Sequence, residues 1–142
     1  MIADILRRLI SEAYVLYFKA HTFHWNVEGP DFVQYHEFLN KFYDEVFESI
    51  DNYAELIRTT GQYAPISLSR LIEMSSIEES SSIPDAVSML KIIERDNTVF
   101  IASLLEAYVE AEKASEFGIS NYIQDRIQAH EKHGWMLRAL TR

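Results

Sequence analysis

The chain has 142 residues, with 13 Lys and Arg against 22 Asp and Glu, and therefore a formal net charge of −9. That length suits a single domain over residues 1–142, and 48% hydrophobic with 25% charged residues is typical of a globular protein. No apolar run approaches the ~20 residues that span a bilayer, and the first residues lack the apolar core of a secretory signal, which predicts a cytoplasmic protein. The absence of cysteine excludes disulfides, thiolate metal sites and cysteine nucleophiles.

The first half of the chain predicts two long helices, because its apolar residues recur at steps of three and four. The first helix covers about residues 3–27 and ends before Gly29-Pro30. Asp31 is predicted to cap the second helix, which runs to about Thr60.

The second half begins with a long connection over residues 61–83, in which Ser67 is predicted to cap a short helix over Leu68–Met74. Pro84 is predicted to open the third long helix, since proline is favoured in a first turn. Gly118 then breaks the chain, and Ser120 is predicted to cap a fourth helix. Four long helices with one long connection predict an all-α fold, a four-helix bundle with a crossover, for which ferritin-like and cytokine-like bundles are both candidates.

The five histidines lie in two parts of the sequence: His21, His24, His36, His130 and His133. His24 is in phase with the apolar stripe of the first helix, and His36 lies one turn into the second. One histidine on an apolar face is more often a satisfied core residue than a ligand. His130 and His133 are interpreted as structural.

Acidic residues form a stripe along the second helix at steps of four, three and four: Asp44, Glu48, Asp51 and Glu55. Such a stripe is usually a solvated face. Asp51 and Glu55 nevertheless flank core positions, and their i,i+4 spacing stacks both carboxylates within reach of a shared cation. Two imidazoles and two carboxylates form a suitable ligand set for Fe(II), which accepts nitrogen and oxygen donors.

The spacing of the two histidines, His24 and His36, and the two carboxylates, Asp51 and Glu55, limits how they can bind one ion. His36 and Asp51 are 15 residues apart on one predicted helix, hence roughly 22 Å along its axis. If both pairs serve one site, the histidines must come from one subunit and the carboxylates from another. A two-fold axis across the second helix would create two equivalent sites per pair of chains.

At these residues the sequence resembles the Dps family, the "DNA-binding proteins from starved cells", which are small relatives of ferritin. The likeness begins with His21-x-x-His24-Trp25-Asn26-Val27-Glu28-Gly29-Pro30-Asp31-Phe32, followed by His36-Glu37. It continues in Ile50-Asp51-x-x-Ala54-Glu55 and in the segment from His130 to Ala139. Nearly the whole chain is covered.

The resemblance implies a ferritin-like four-helix bundle with a short helix between helices 2 and 3. In this family an inter-subunit ferroxidase centre takes two histidines from one subunit and an Asp and a Glu from its two-fold mate. The matching metal-binding and catalytic positions are His24, His36, Asp51 and Glu55. Twelve subunits form a shell that oxidises Fe(II) at a di-iron site, with hydrogen peroxide or dioxygen, and stores a ferric mineral core. Protection from oxidative damage is the implied function.

Departures from the family pattern leave an alternative open. Asn40 stands where the family often has an acidic residue, so a ligand is missing and the second iron is expected to bind weakly. A non-catalytic structural or metal-buffering shell is the alternative. Family members often bind DNA through a basic terminal extension, which is missing here, and the negative charge repels phosphate, so we expect weak DNA binding or none. No Glu-x-x-His pair occurs, which disfavours an ordinary ferritin with its di-iron site inside one bundle.

Overall fold

The computed structural model describes all 142 residues as five helices without a strand. The helices are α1 (Ile2–Asn26), α2 (Phe32–Thr59), α3 (Leu68–Met74), α4 (Ala86–Lys113) and α5 (Phe117–Leu140). The four long helices form the bundle, and α3 lies in the connection between α2 and α4 and packs on α1. The predicted all-α fold with its short central helix is confirmed. None of the five helices combines the length and apolarity needed to cross a membrane.

Polar contacts between helices establish their relative directions. Arg8 and Lys19 of α1 pair with Glu106 and Asp96 of α4, so these two helices are antiparallel. The α1–α2 and α4–α5 pairs are antiparallel hairpins joined by short turns. It follows that α2 and α4 run in the same direction, and the long connection carries the chain back along the bundle between them.

The core is one cluster of 29 buried hydrophobic residues contributed by every helix. Its largest fully buried side chains include Phe42, Tyr53, Phe100, Leu90 and Leu6. The apolar steps in the sequence therefore predict the inner faces of the long helices, and the bundle is held together mainly by the removal of these faces from water.

The beginnings of α3 and α4 are set by side-chain caps. The Ser67 hydroxyl accepts a hydrogen bond from the Arg70 amide, which confirms the predicted cap of α3. The prediction for the third long helix is wrong by two residues, because Asp85 caps α4 by accepting from the Ser88 amide at 3.0 Å. Pro84 precedes that cap instead of opening the first turn.

The predicted start of the last helix is also wrong. The chain breaks at Ser115, whose φ of 57° lies in the left-handed region, and α5 begins at Phe117. Gly118 therefore lies inside the first turn of α5, and Ser120 does not cap it. Asp31 occupies the cap position of α2, as predicted, although its side chain makes no capping hydrogen bond.

An ion pair lies inside the bundle between α1 and α4. Lys19 Nζ is 2.6 Å from Asp96 Oδ2, and both side chains are at most 5% exposed. Arg95, which is largely exposed, also reaches the second oxygen of Asp96 at 3.2 Å. Asp96 therefore has two cationic partners, whereas Lys19 has one.

We expect Asp96→Ala to destabilise the fold by about 3–5 kcal/mol, because it leaves the Lys19 charge buried and unpaired. Lys19→Met should have a smaller effect, since Asp96 keeps its contact with Arg95. The free energy of unfolding from urea titration measures both. Equal losses in the two variants would contradict this account of the pair.

Candidate functional site

The corner where α1 turns into α2 holds two histidines in a reciprocal arrangement. His24 Nδ1 donates to the backbone carbonyl of His36 at 2.8 Å, and His36 Nδ1 donates to the backbone carbonyl of His24 at 2.8 Å. The two rings stack with centroids 3.7 Å apart and planes inclined by 14°. The turn over Gly29 makes this approach possible, since its φ of 122° suits only glycine.

These hydrogen bonds fix the chemical form of both rings. A carbonyl oxygen can only accept, so each Nδ1 carries a hydrogen and, in the neutral ring, each Nε2 keeps its lone pair. No hydrogen bond within the chain engages either Nε2, and both residues are partly exposed. An imidazole held through Nδ1 by a backbone carbonyl, with Nε2 free, is the usual form of a metal-ligating histidine.

Aromatic side chains surround the pair. Phe32 stacks on His36 with centroids 4.9 Å apart, and Tyr43 lies edge-on to His24 at 5.2 Å. His21 does not orient His24: the rings are 6.2 Å apart, and Tyr17 Oη bonds His21 Nδ1 at 2.9 Å instead. Burial lowers the pKa of His21 and raises that of Tyr17, so the phenol donates to a neutral ring.

The two predicted carboxylates lie on the same helix but far from the histidines. Because α2 runs without interruption through His36, Asp51 and Glu55, His36 and Asp51 are separated by roughly 22 Å. Both carboxylates are exposed. Within one chain, no three His, Asp or Glu side chains are placed to hold a metal ion. Within a single chain, the four predicted residues therefore form two separate pairs, His24 with His36 and Asp51 with Glu55.

A cavity of about 520 Å³ lies between α1, α2 and residues 65–71, and Asp51 is one of the residues that line it. Eight of its twelve lining residues are hydrophobic, among them Ile10, Phe47, Ile50 and Ile66. Phe47 and Ile66 are themselves exposed in the isolated chain. The carboxylate thus stands at the edge of an apolar depression.

Comparison with known proteins identifies the family. A family model for the ferritin-like domain matches residues 3–142. The "DNA protection during starvation protein" of Brevibacillus brevis is 34% identical and covers 98% of this chain and 93% of its own length. The crystal structure of a Dps protein from Bacillus brevis superposes with a TM-score of 0.96 at 31% identity, over 99% of this chain and 95% of that chain.

The chain belongs to the Dps family of ferritin-like proteins. A Dps protein from Vibrio cholerae O1, described as a member of a superfamily of ferritin-like diiron-carboxylate proteins, superposes with a TM-score of 0.95. It is 25% identical, and the match covers 99% of this chain and 89% of that one. These matches establish family and fold, and the four proposed ligands remain predictions.

Inside the bundle of this Dps chain lies a polar network that the sequence did not predict. Arg126 on α5 forms a two-pronged ion pair with Glu45 on α2, and its Nη2 is 2.8 Å from both Glu45 Oε1 and His130 Nε2. His133 Nε2 donates to Glu45 Oε1 at 2.8 Å, and Arg126 Nε donates to the Tyr53 hydroxyl. The network joins α2 to α5.

Charge within this network sets the protonation of its members. Burial raises the pKa of Glu45, but the hydrogen bonds from Arg126 and His133 outweigh it, and the net pKa lies well below the ordinary value. Burial and the nearby Arg126 charge hold the pKa of His130 far below its usual range. His130 is therefore neutral. The interpretation of His130 and His133 as structural missed Glu45, because this partner lies on another helix.

The Glu45 contribution to stability should depend on pH. A depressed native pKa adds stability above the unfolded value of about 4.3, and this stability is lost as the pH falls below it. We therefore expect the melting temperature of Glu45→Gln to be lower than wild type at neutral pH and to fall less between about pH 5 and about pH 3. Glu131→Gln, an exposed control, should follow the wild-type curve. Parallel curves for all three proteins would contradict the role of Glu45.

Proposed function

We propose that this protein oxidises Fe(II) at sites shared between two subunits and stores the ferric product in a homo-oligomeric shell. In each site, His24 and His36 of one chain and Asp51 and Glu55 of its two-fold partner bind the iron. Hydrogen peroxide or dioxygen is the oxidant, and a dodecamer is the assembly implied by the family likeness. Relatives named for DNA protection during starvation support a protective role.

The locked histidine pair is the observation that carries this proposal. Two imidazoles with free Nε2 atoms stand in contact at an accessible corner, and backbone carbonyls hold both in the form that binds a metal. Since the carbonyls belong to the helix backbone, the rings need little rearrangement on binding. A purely structural histidine pair would have no need to leave both Nε2 atoms unpaired.

Two observations support carboxylates supplied by a partner chain. The helix separates His36 from Asp51 by far more than a coordination sphere. The apolar cavity beside Asp51 and the exposed Phe47 and Ile66 favour burial against another protein surface. Trp25, 57% exposed and adjacent to His24, belongs to the same kind of surface. A second copy arranged about a two-fold axis would cover the cavity beside Asp51 and the exposed Trp25, and it would complete the ligand set.

The proposed donor set suits the oxidation. Neutral imidazoles capture Fe(II), and the anionic Asp51 and Glu55 favour Fe(III) over Fe(II), because the higher charge gains more from nearby anions. Glu55 would extend toward a second iron. Two Fe(II) ions supply the two electrons that hydrogen peroxide accepts, and with two protons from solvent both of its oxygens leave as water. Asn40, which donates only to Asp44 at 3.5 Å, adds no carboxylate for that second ion.

Complementation between two inactive variants tests the shared site. His24→Ala/His36→Ala lacks both histidines, and Asp51→Ala/Glu55→Ala lacks both carboxylates, so each alone should oxidise anaerobically loaded Fe(II) no faster than buffer after peroxide is added. A mixed two-fold pair contains one site with all four ligands and one with none. In an equal mixture that reassembles at random, about half of the two-fold pairs are mixed, so about a quarter of the wild-type rate should return.

Sedimentation of each variant and of the mixture provides the control that assembly is intact. Activity in either double variant alone would contradict the ligand assignment. Failure of well-assembled mixtures to regain activity would contradict sharing between subunits. Equal rates in wild type and both variants would favour the non-catalytic shell instead.

DNA is not proposed as a partner of this chain. A net charge of −9 per subunit is multiplied in an assembly and repels the phosphate backbone. We expect no retention of duplex DNA in a gel-shift assay at about 50 mM salt without added divalent ions. Retention of DNA under those conditions would contradict this expectation.

A further inference from the structure

Side chains of the types that bind metal ions lie next to the guanidinium of Arg126 inside the bundle. Arg126 Nη2 is 2.8 Å from Glu45 Oε1 and 2.8 Å from His130 Nε2. His133 Nε2 lies 2.8 Å from the same Glu45 oxygen. One carboxylate and one imidazole therefore contact the guanidinium, and a second imidazole, that of His133, donates to the same carboxylate oxygen.

The form of His130 matches that of a metal ligand. Asn97 Nδ2 donates to the His130 backbone carbonyl at 2.8 Å, which fixes the orientation of the Asn97 amide. His130 Nδ1 then donates to Asn97 Oδ1 at 2.7 Å, so Nε2 holds the lone pair that faces Arg126. A histidine held through Nδ1 by an amide oxygen, with Nε2 directed at a cation, has the usual outer contact of a metal-bound imidazole.

We propose that Arg126 is a resident cation that occupies a latent divalent-metal site formed by Glu45, His130 and His133 and thereby keeps such ions out of the bundle. The ions in question are those that accept mixed imidazole and carboxylate ligands, such as Zn(II), Co(II) and Fe(II). As they stand, these three side chains are not arranged to hold an ion. Nitrogen–metal bonds of ~2.1 Å are about 0.7 Å shorter than the present contacts, so a metal would draw the donors inward. His133 would release the hydrogen on Nε2, which it now donates to Glu45, to solvent as the metal binds.

The exclusion of divalent ions by Arg126 matters because solvent reaches the side chains of Glu45 and His133. The Arg126 side chain is 7% exposed, but the Glu45 side chain is 38% exposed and that of His133 is 13% exposed. An incoming divalent ion would meet a fixed positive charge at short range in a poorly solvated region, where repulsion is strong. Arg126 thus confines metal capture to surfaces outside the bundle. This inference does not depend on the activity proposed for His24 and His36.

Replacement of Arg126 by a neutral side chain should turn the network into a metal site. The test uses the full-length chain carrying His24→Ala/His36→Ala, which removes the other histidine pair, with cobalt chloride as the only probe. Arg126→Ala is compared with Arg126→Lys, which keeps a cation, and with Arg126→Ala/Glu45→Gln, which removes the carboxylate. Visible Co(II) absorption measures binding, and the melting temperature measures its effect on the folded state.

We expect Arg126→Ala to bind about one Co(II) per chain and to gain melting temperature on addition of the metal. The chain with Arg126, the Lys variant and the Arg126→Ala/Glu45→Gln variant should show neither change. If Arg126→Ala is unfolded without metal, circular dichroism should report folding on addition of Co(II), since the ion replaces the missing charge. Arg126→Gln, which is neutral but longer, provides a second variant for the same measurement.

Three results would overturn the inference. They are interior binding of Co(II) with Arg126 present, equal binding with and without the Glu45 carboxylate, and the absence of binding and of metal-induced folding in both neutral variants. None of these results bears on iron oxidation by chains that retain His24 and His36, so the two proposals fail separately.

Discussion

The reciprocal hydrogen bonds between His24 and His36 join the end of α1 to the beginning of α2 and determine what this corner can do. Each ring is held by the backbone of the opposite helix, so the pair exists only when the α1–α2 hairpin is formed. The same contacts direct hydrogen to Nδ1 and leave Nε2 with its lone pair. Two backbone carbonyls, and not other side chains, therefore link the fold of this corner to the ability of the two rings to bind a metal.

The straight course of α2 imposes the other constraint. It carries His36 near its first turn and Asp51 and Glu55 in its second half, so the two halves of the proposed ligand set face different places. In the bundle interior, where another ferritin-like arrangement could hold metal, a guanidinium is already paired with Glu45 and His130. Positive charge inside the bundle and free imidazoles outside it together favour metal binding at the protein surface, where the proposed site lies.

The sequence predicted what depends on local pattern and missed what depends on contacts between distant segments. Apolar steps predicted the long helices, and Ser67 predicted the start of α3, because both reflect interactions within a few residues. The predicted beginning of the last helix was wrong because Ser115, in the left-handed conformation, breaks the chain and Gly118 does not. Arg126 could not be paired with Glu45 from spacing alone, since the partners are far apart in the chain. The proposal that the site is divided between two chains came from the sequence, because helix rise alone separates His36 from Asp51.

Anomalous diffraction at the iron edge from crystals of the assembled protein, soaked in Fe(II) without oxygen, tests the central claim most directly. An iron peak is expected ~2.1 Å from Nε2 of His24 and His36. The same peak should contact the Asp51 carboxylate of the partner subunit. Iron held by residues of one chain only, or an assembly in which Asp51 and Glu55 lie far from every neighbouring histidine pair, would contradict it.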